Sequence, residues 1–133
     1  MVKPIELTLL VSPTPKGRPR AVNINGRSVM VTPSKTKTAE LELRYLLHGH
    51  DPFPRDIPVK VTCTFYRQRP KSLKKSITMP VSKPDVDNYF KLLCDTMNGF
   101  IFGDDAQVTT VFMRKRFGMP ERIELRVEED GDK

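Results

Sequence analysis

The chain has 133 residues, with 23 Lys and Arg against 16 Asp and Glu and a formal net charge of +7. That length suits one domain with a single core and excludes two. No apolar run approaches the roughly 20 residues that cross a bilayer, and no signal peptide precedes the first strand-like segment, so a cytoplasmic protein with no membrane partner is expected.

Along the chain, Ile5, Leu7, Leu9 and Val11 alternate with less apolar neighbours, which predicts a first strand over 5–11. The following Pro13-Thr14-Pro15-Lys16-Gly17-Arg18-Pro19-Arg20 carries three prolines and a glycine, which exclude a helix and leave an extended cationic loop. Asn25-Gly26, flanked by Val22, Ile24, Val29 and Val31, predicts a type I′ hairpin. Residues 34–48 read as a helix with Thr32 or Ser34 as its cap and Leu43, Leu46 and Leu47 on its apolar side.

Beyond the prolines at 52, 54 and 58, Val59, Val61, Cys63 and Phe65 face one way along a strand and Lys60, Thr62, Thr64 and Tyr66 the other. Residues 67–75 hold five cations and no acid, and are expected to form a mobile basic loop. From Val86 to Met97, Val86, Tyr89, Phe90, Leu93, Cys94 and Met97 keep a helical period, and Asn98-Gly99 ends it. Strands near 106–116 and 122–128 close the chain. Five or six strands and two main helices over residues 1–133 give an α+β single domain, with the helices packed on a mixed β-sheet.

Cys63 and Cys94 lie inside apolar periodic segments, so buried, reduced thiols are expected rather than a disulfide or nucleophiles. His48-Gly49-His50 has no cysteine or acid at ligand spacing and reads as a helix end and loop. There is no glycine-rich phosphate loop, and hence no expected nucleotide cofactor.

The charge is unevenly placed. Residues 1–79 hold 15 cations against 5 acids, a net of +10, while residues 80–133 hold 8 against 11, a net of −3. A basic front half suits a polyanion such as nucleic acid, with Lys16, Arg18, Arg20, Lys35, Lys37, Arg69, Lys71, Lys74 and Lys75 as candidate phosphate contacts. Five acids nevertheless crowd into the 21 residues from Asp85 to Asp105. A module built only to grip phosphate gains nothing from carboxylates there; a nuclease needs them to hold a cation against the phosphate.

Lys83-Pro84-Asp85-Val86-Asp87-Asn88 opens the second helix. The structural alternative is simple N-terminal capping, which the helix dipole also favours. Asp87, Lys91, Asp95 and Asn98 form one stripe opposite the apolar face, either an ion-pair ladder or a site rim. Gly103-Asp104-Asp105 follows a short return that is expected to bring Asp105 beside the helix's N-terminal turn. Converging carboxylates repel one another unless a cation sits among them, and hard oxygen ligands select magnesium, with manganese tolerated, over zinc. Lys91 is placed to stabilise charge on phosphorus or to position the attacking water.

Lys83-Pro84-Asp85-Val86-Asp87-Asn88, then Lys91, Asp95, Asn98-Gly99 and Asp104-Asp105-Ala106-Gln107-Val108, resemble the signature of the RusA-type Holliday-junction resolvases. The basic 15–20 and 32–36 stretches look like that family's N-terminal half, so the resemblance covers most of the chain. It implies a homodimer that binds branched DNA, above all four-way junctions, and makes paired symmetric cuts. Carried over by position, the metal-holding carboxylates are Asp85, Asp87 and Asp105, and the essential lysine is Lys91. For dimerisation, Leu41 and Tyr45 off the first helix's apolar stripe and the turn Phe100–Phe102 offer apolar surface. Two other readings stand beside this one: a non-catalytic nucleic-acid-binding module, and a related nuclease preferring other branched forms.

Overall fold

A computed structural model describes residues 3–131. Its elements are β1 (Ile5–Leu9), β2 (Arg20–Ile24), β3 (Arg27–Val31), α1 (Ser34–Leu47), β4 (Val59–Arg67), α2 (Val86–Met97), a short 3-10 turn (Asp105–Gln107), β5 (Val108–Phe117) and β6 (Arg122–Glu129). Four strands form a mixed sheet in the order β1-β6-β4-β5, with β4 parallel to β5 and antiparallel to β6. The remaining two, β2 and β3, pair only with each other.

The alternation in β4 is the reason for the core. Val59, Val61, Cys63 and Phe65 are all but fully buried, and Ile123, Leu125 and Val127 of β6 line the same face. Both helices cover it: α2 buries Tyr89, Leu92, Leu93, Cys94 and Met97, and α1 buries Leu43 and Leu47. Burying such side chains contributes about 1.5–3 kcal/mol each before the cost of ordering the chain. The result is a single α+β domain whose second helix is anchored by six buried residues. Among the described residues no helix is long and apolar enough to cross a membrane.

Several expectations change in detail. β1 stops at Leu9, because Val11 turns its N–H back onto the Leu9 carbonyl (2.9 Å) and the chain leaves the sheet. The α1 N-cap is Pro33, not Thr32 or Ser34, and no side chain caps it. Thr36 is a poor helix former with a tertiary role, since its hydroxyl accepts the Gly17 N–H at 2.9 Å and ties the 13–19 strap to the helix. A Cβ on Gly17 would meet Thr36 Oγ1 at 2.7 Å and Pro33 Cγ at 2.8 Å, so only glycine allows that approach. The hairpin turn has φ of 52° at Asn25 and 79° at Gly26, as a type I′ turn requires.

The turn at 100–102 is not free surface. Ile101 and Phe102 are fully buried, and the Phe53 N–H bonds to the Ile101 carbonyl at 2.8 Å. Apolar residues there serve the core, which removes this turn as a dimerisation surface; Leu41 and Tyr45 stay exposed. Residues 67–75 are likewise more ordered than a mobile loop. Arg69 donates to the carbonyls of Leu73, Lys74 and Ile77, and Arg67 donates to the Pro13 carbonyl and pairs with Glu121.

Candidate active site

The first turns of α2 present Asp85, Asp87 and Lys91 on the side away from the core. Asp85 occupies the N-cap position, yet its carboxylate makes no capping bond. Capping therefore does not account for it. Its partner is Lys83, whose ammonium stands 3.4 Å away. Asp87 and Lys91 make no side-chain hydrogen bond or ion pair among the described residues. The turn ahead of the helix is held from the sheet: Lys115 of β5 donates to the carbonyls of Ser82 (2.7 Å) and Pro84 (2.9 Å).

Opposite this turn runs the basic strap. Lys16, Gly17, Arg18 and Pro19 form one wall of a cleft of about 410 Å³, and Lys83, Asp85, Asp87, Asn88 and Lys91 form the other. The Lys16 N–H donates to the Asn88 carbonyl at 3.3 Å, which locks strap and helix together. The Lys16 ammonium also pairs with Asp95, two turns along the stripe. Lys16 thus links the Asp85–Asp87 wall to a second acidic group.

That second group contains Asp105. Asp104 caps the 3-10 turn, accepting the Ala106 N–H at 3.2 Å, while Gln107 Oε1 accepts the Asp104 N–H at 3.0 Å. This capping box explains why two adjacent aspartates sit where a strand was expected to begin. The Ala106 N–H, then the neighbouring Asp105 carboxyl, hold Asp104 below the usual carboxylate range. Asp105 is exposed and shifted the opposite way, raised first by its hydrogen bond with Asp104, then by desolvation and the charges of Asp104 and Asp95.

The chain's return therefore does not set Asp105 beside the N-terminal turn of α2. After Asp105, β5 runs back along the helix, so Lys115 meets that turn and Asp105 stands by Asp95. At about 1.5 Å per residue, Asp87 and Asp95 are roughly 12 Å apart along the axis. Accordingly, no group of three or more His, Cys, Asp or Glu is arranged to hold a metal ion among the described residues.

The remaining candidates fall into two sets. Arg18, Arg20, Lys35, Lys37, Lys71, Lys74 and Lys75 are exposed, whereas Arg69 is half-buried with its guanidinium turned onto its own loop. Cys63 and Cys94 are buried free thiols, each pushed up to about 12 chiefly by desolvation, which makes them poor nucleophiles. His48 ends α1 and its ring contacts the Tyr45 carbonyl. Sequence reasoning missed Lys115 as the clamp on the aspartate-bearing turn. The only signal was a basic Arg114-Lys115-Arg116 run on an edge strand.

The family model for Endodeoxyribonuclease RusA matches residues 11–128, which hold the strap, both helices and the sheet strands β4, β5 and nearly all of β6 but not β1. The chain is also 32% identical over 136 residues to the uncharacterized protein YqaN of Bacillus subtilis (strain 168), covering 94% of this chain and 96% of that one. With the strap, the aspartate-bearing helix and the Asp104–Asp105 turn all inside the matched span, the chain belongs to the RusA endodeoxyribonuclease family.

Proposed function

We propose that this protein is a magnesium-dependent endonuclease that resolves four-way DNA junctions by paired symmetric cuts, acting as a homodimer in the cytoplasm. The observation that carries the reading is the Asp85–Asp87 turn: two carboxylates on a well-packed helix, without a structural role, facing a cationic wall. Family membership supports the endonuclease chemistry. The donor set fits a hard divalent cation, because both side chains offer carboxylate oxygens free of protein hydrogen-bond donors other than Lys83.

In this reading Asp85 and Asp87 would hold the cation, with Asp105 as the third carboxylate that the resembled signature supplies. The bound cation supplies Lewis-acid polarisation of the phosphodiester and an activated water. Lys91, one turn from Asp87, stabilises the extra negative charge at phosphorus. Lys16 and Arg18 hold the backbone across the cleft, and Lys35, Lys37, Lys71, Lys74 and Lys75 extend the grip.

The direct test is cleavage of a synthetic mobile four-way junction beside linear duplex, with magnesium and with chelator. Paired nicks that need magnesium support the reading. Tight binding with no cleavage in any divalent metal would favour a non-catalytic binding module, and faster cutting of flaps a related nuclease. Two-fold pairing of the substrate requires two sites in fixed geometry. Hence wild-type subunits mixed with Asp105→Asn subunits should nick one strand and leave the second cut slow.

A further inference from the structure

Beside the carboxylate cleft lies a second depression to which the chemistry above gives no role. It is a cavity of about 390 Å³ between α1, the strap and the start of α2. That volume falls within the roughly 300–1,000 Å³ of pockets that take organic ligands. Its floor is the apolar core: Leu43, Phe65, Tyr89, Leu93 and Ile123. Phe65 and Tyr89 are stacked there, with ring centroids 5.3 Å apart. Its rim is different, with the hydroxyls of Ser12, Thr14, Ser34 and Thr38, the Lys35 ammonium and the Glu42 carboxylate. An apolar floor under a ring of short hydrogen-bonding groups suits a flat, mostly apolar ring with polar edges.

The position of the cavity narrows the ligand further. Thr14 lines it, and Lys16, two residues on, lines the cleft; Tyr89 lines it, and Asn88, the residue before, lines the cleft. The backbone bond from Lys16 to Asn88 therefore joins two segments that each line both the cleft and the cavity. A nucleotide spanning them would set its phosphate toward the cation site at Asp85 and Asp87 and its base toward the cavity. Lys35 at the rim gives the charge to hold a neighbouring phosphate.

We propose that this cavity receives one unstacked nucleobase of the branched DNA during cleavage; this rests on the endonuclease reading above. The consequence is substrate choice. Swinging a base out of a stack costs a few kcal/mol in intact duplex and least where the base is already poorly stacked, as at a branch point. A protein that must seat a base before cutting selects branches over duplex without reading sequence along the arms.

The test uses the full chain carrying Asp87→Asn, expected on the reading above to bind without cutting, and four-way junctions with a single 2-aminopurine placed in turn at each nucleotide flanking the branch. At one position, emission should rise about threefold or more as stacking is relieved, while 2-aminopurine deep in an arm stays dark. Ala39→Phe, which fills the cavity, and Thr38→Leu, which narrows its exposed mouth, should abolish the rise. In the cutting protein they should lower the junction-over-duplex preference about tenfold, leaving duplex affinity unchanged. Thermal melting shows whether each variant is folded, and Thr38→Leu carries the test if Ala39→Phe is not. Junction binding with flat emission at every position would overturn the base pocket alone. Failure of the Asp87→Asn protein to bind branched DNA at all would overturn the endonuclease reading, and the base pocket with it.

Discussion

The aspartate-bearing turn and the β2–β3 ribbon have opposite kinds of support. Asp85 and Asp87 ride on α2, whose inner face is buried and whose leading turn is clamped by Lys115. The ribbon grows from the end of the basic strap, and every residue of it is exposed except the half-buried Val31. Val22, Ile24 and Val29 have no core beneath them. On the proposed reading, the difference follows from what each charge would do. Ligands of a cation must be held within fractions of an ångström, whereas phosphate contacts act through a charge that tolerates movement.

The strongest way to break this contrast is Asp85→Asn. Asparagine caps a helix as well as aspartate does, so a capping role predicts no change. We expect unchanged thermal stability and a cleavage rate lower by about a thousandfold or more, the scale of losing one preorganised charge at a metal-assisted centre. A variant that still cuts at the wild-type rate would return Asp85 to a structural part. Next in size is Lys115→Met, which keeps the side chain's bulk but frees the carbonyls of Ser82 and Pro84. Turnover should fall about ten- to a hundredfold, as when groups supporting metal ligands are removed, with junction affinity intact. Equal losses in both would mean that Lys115 binds DNA itself.

On the grip side, Lys71, Lys74 and Lys75 changed together to Ala should weaken binding to junction and duplex alike. The slope of log affinity against log salt should flatten by roughly 0.9 for every phosphate that is no longer neutralised. An unchanged slope would make the 67–75 loop a solvated face. The smallest expected effect sharpens the comparison through stability. Gln107 is buried and its amide donates to the Pro54 and Ile57 carbonyls at 2.7 and 2.8 Å. Gln107→Ala should cost about 2 kcal/mol by leaving those groups unpaired. Gly26→Ala strains a left-handed turn by about 1–2 kcal/mol, but on a ribbon without a core it should leave the global melting temperature unmoved. A large drop there would show that the ribbon is packed in solution.

Much of this was legible in the sequence because it depends on local patterns. The period of Val86–Met97, the alternation in Val59–Phe65 and the Asn25-Gly26 turn each appear where near-neighbour chemistry put them. What failed depended on tertiary partners. Nothing in the sequence says that Thr36 bonds to Gly17, that Ile101 and Phe102 fill the core, or that Arg69 organises its own loop. The site shows the same division. The Asp85–Asp87 turn and its lysine could be read from spacing along one helix. The position of Asp105 could not, because it depends on how a 3-10 turn and β5 lie against α2.

The measurement that reaches the central claim most directly is junction affinity and junction cleavage measured side by side for Asp87→Asn and the wild type, in magnesium. Asn keeps the size and helix position of Asp87 and removes only its charge. We expect cleavage to fall by about a thousandfold or more while affinity holds or improves, since one repulsive carboxylate has gone. Cleavage at the wild-type rate, or loss of binding and cleavage together, would contradict a metal-holding role for the α2 turn.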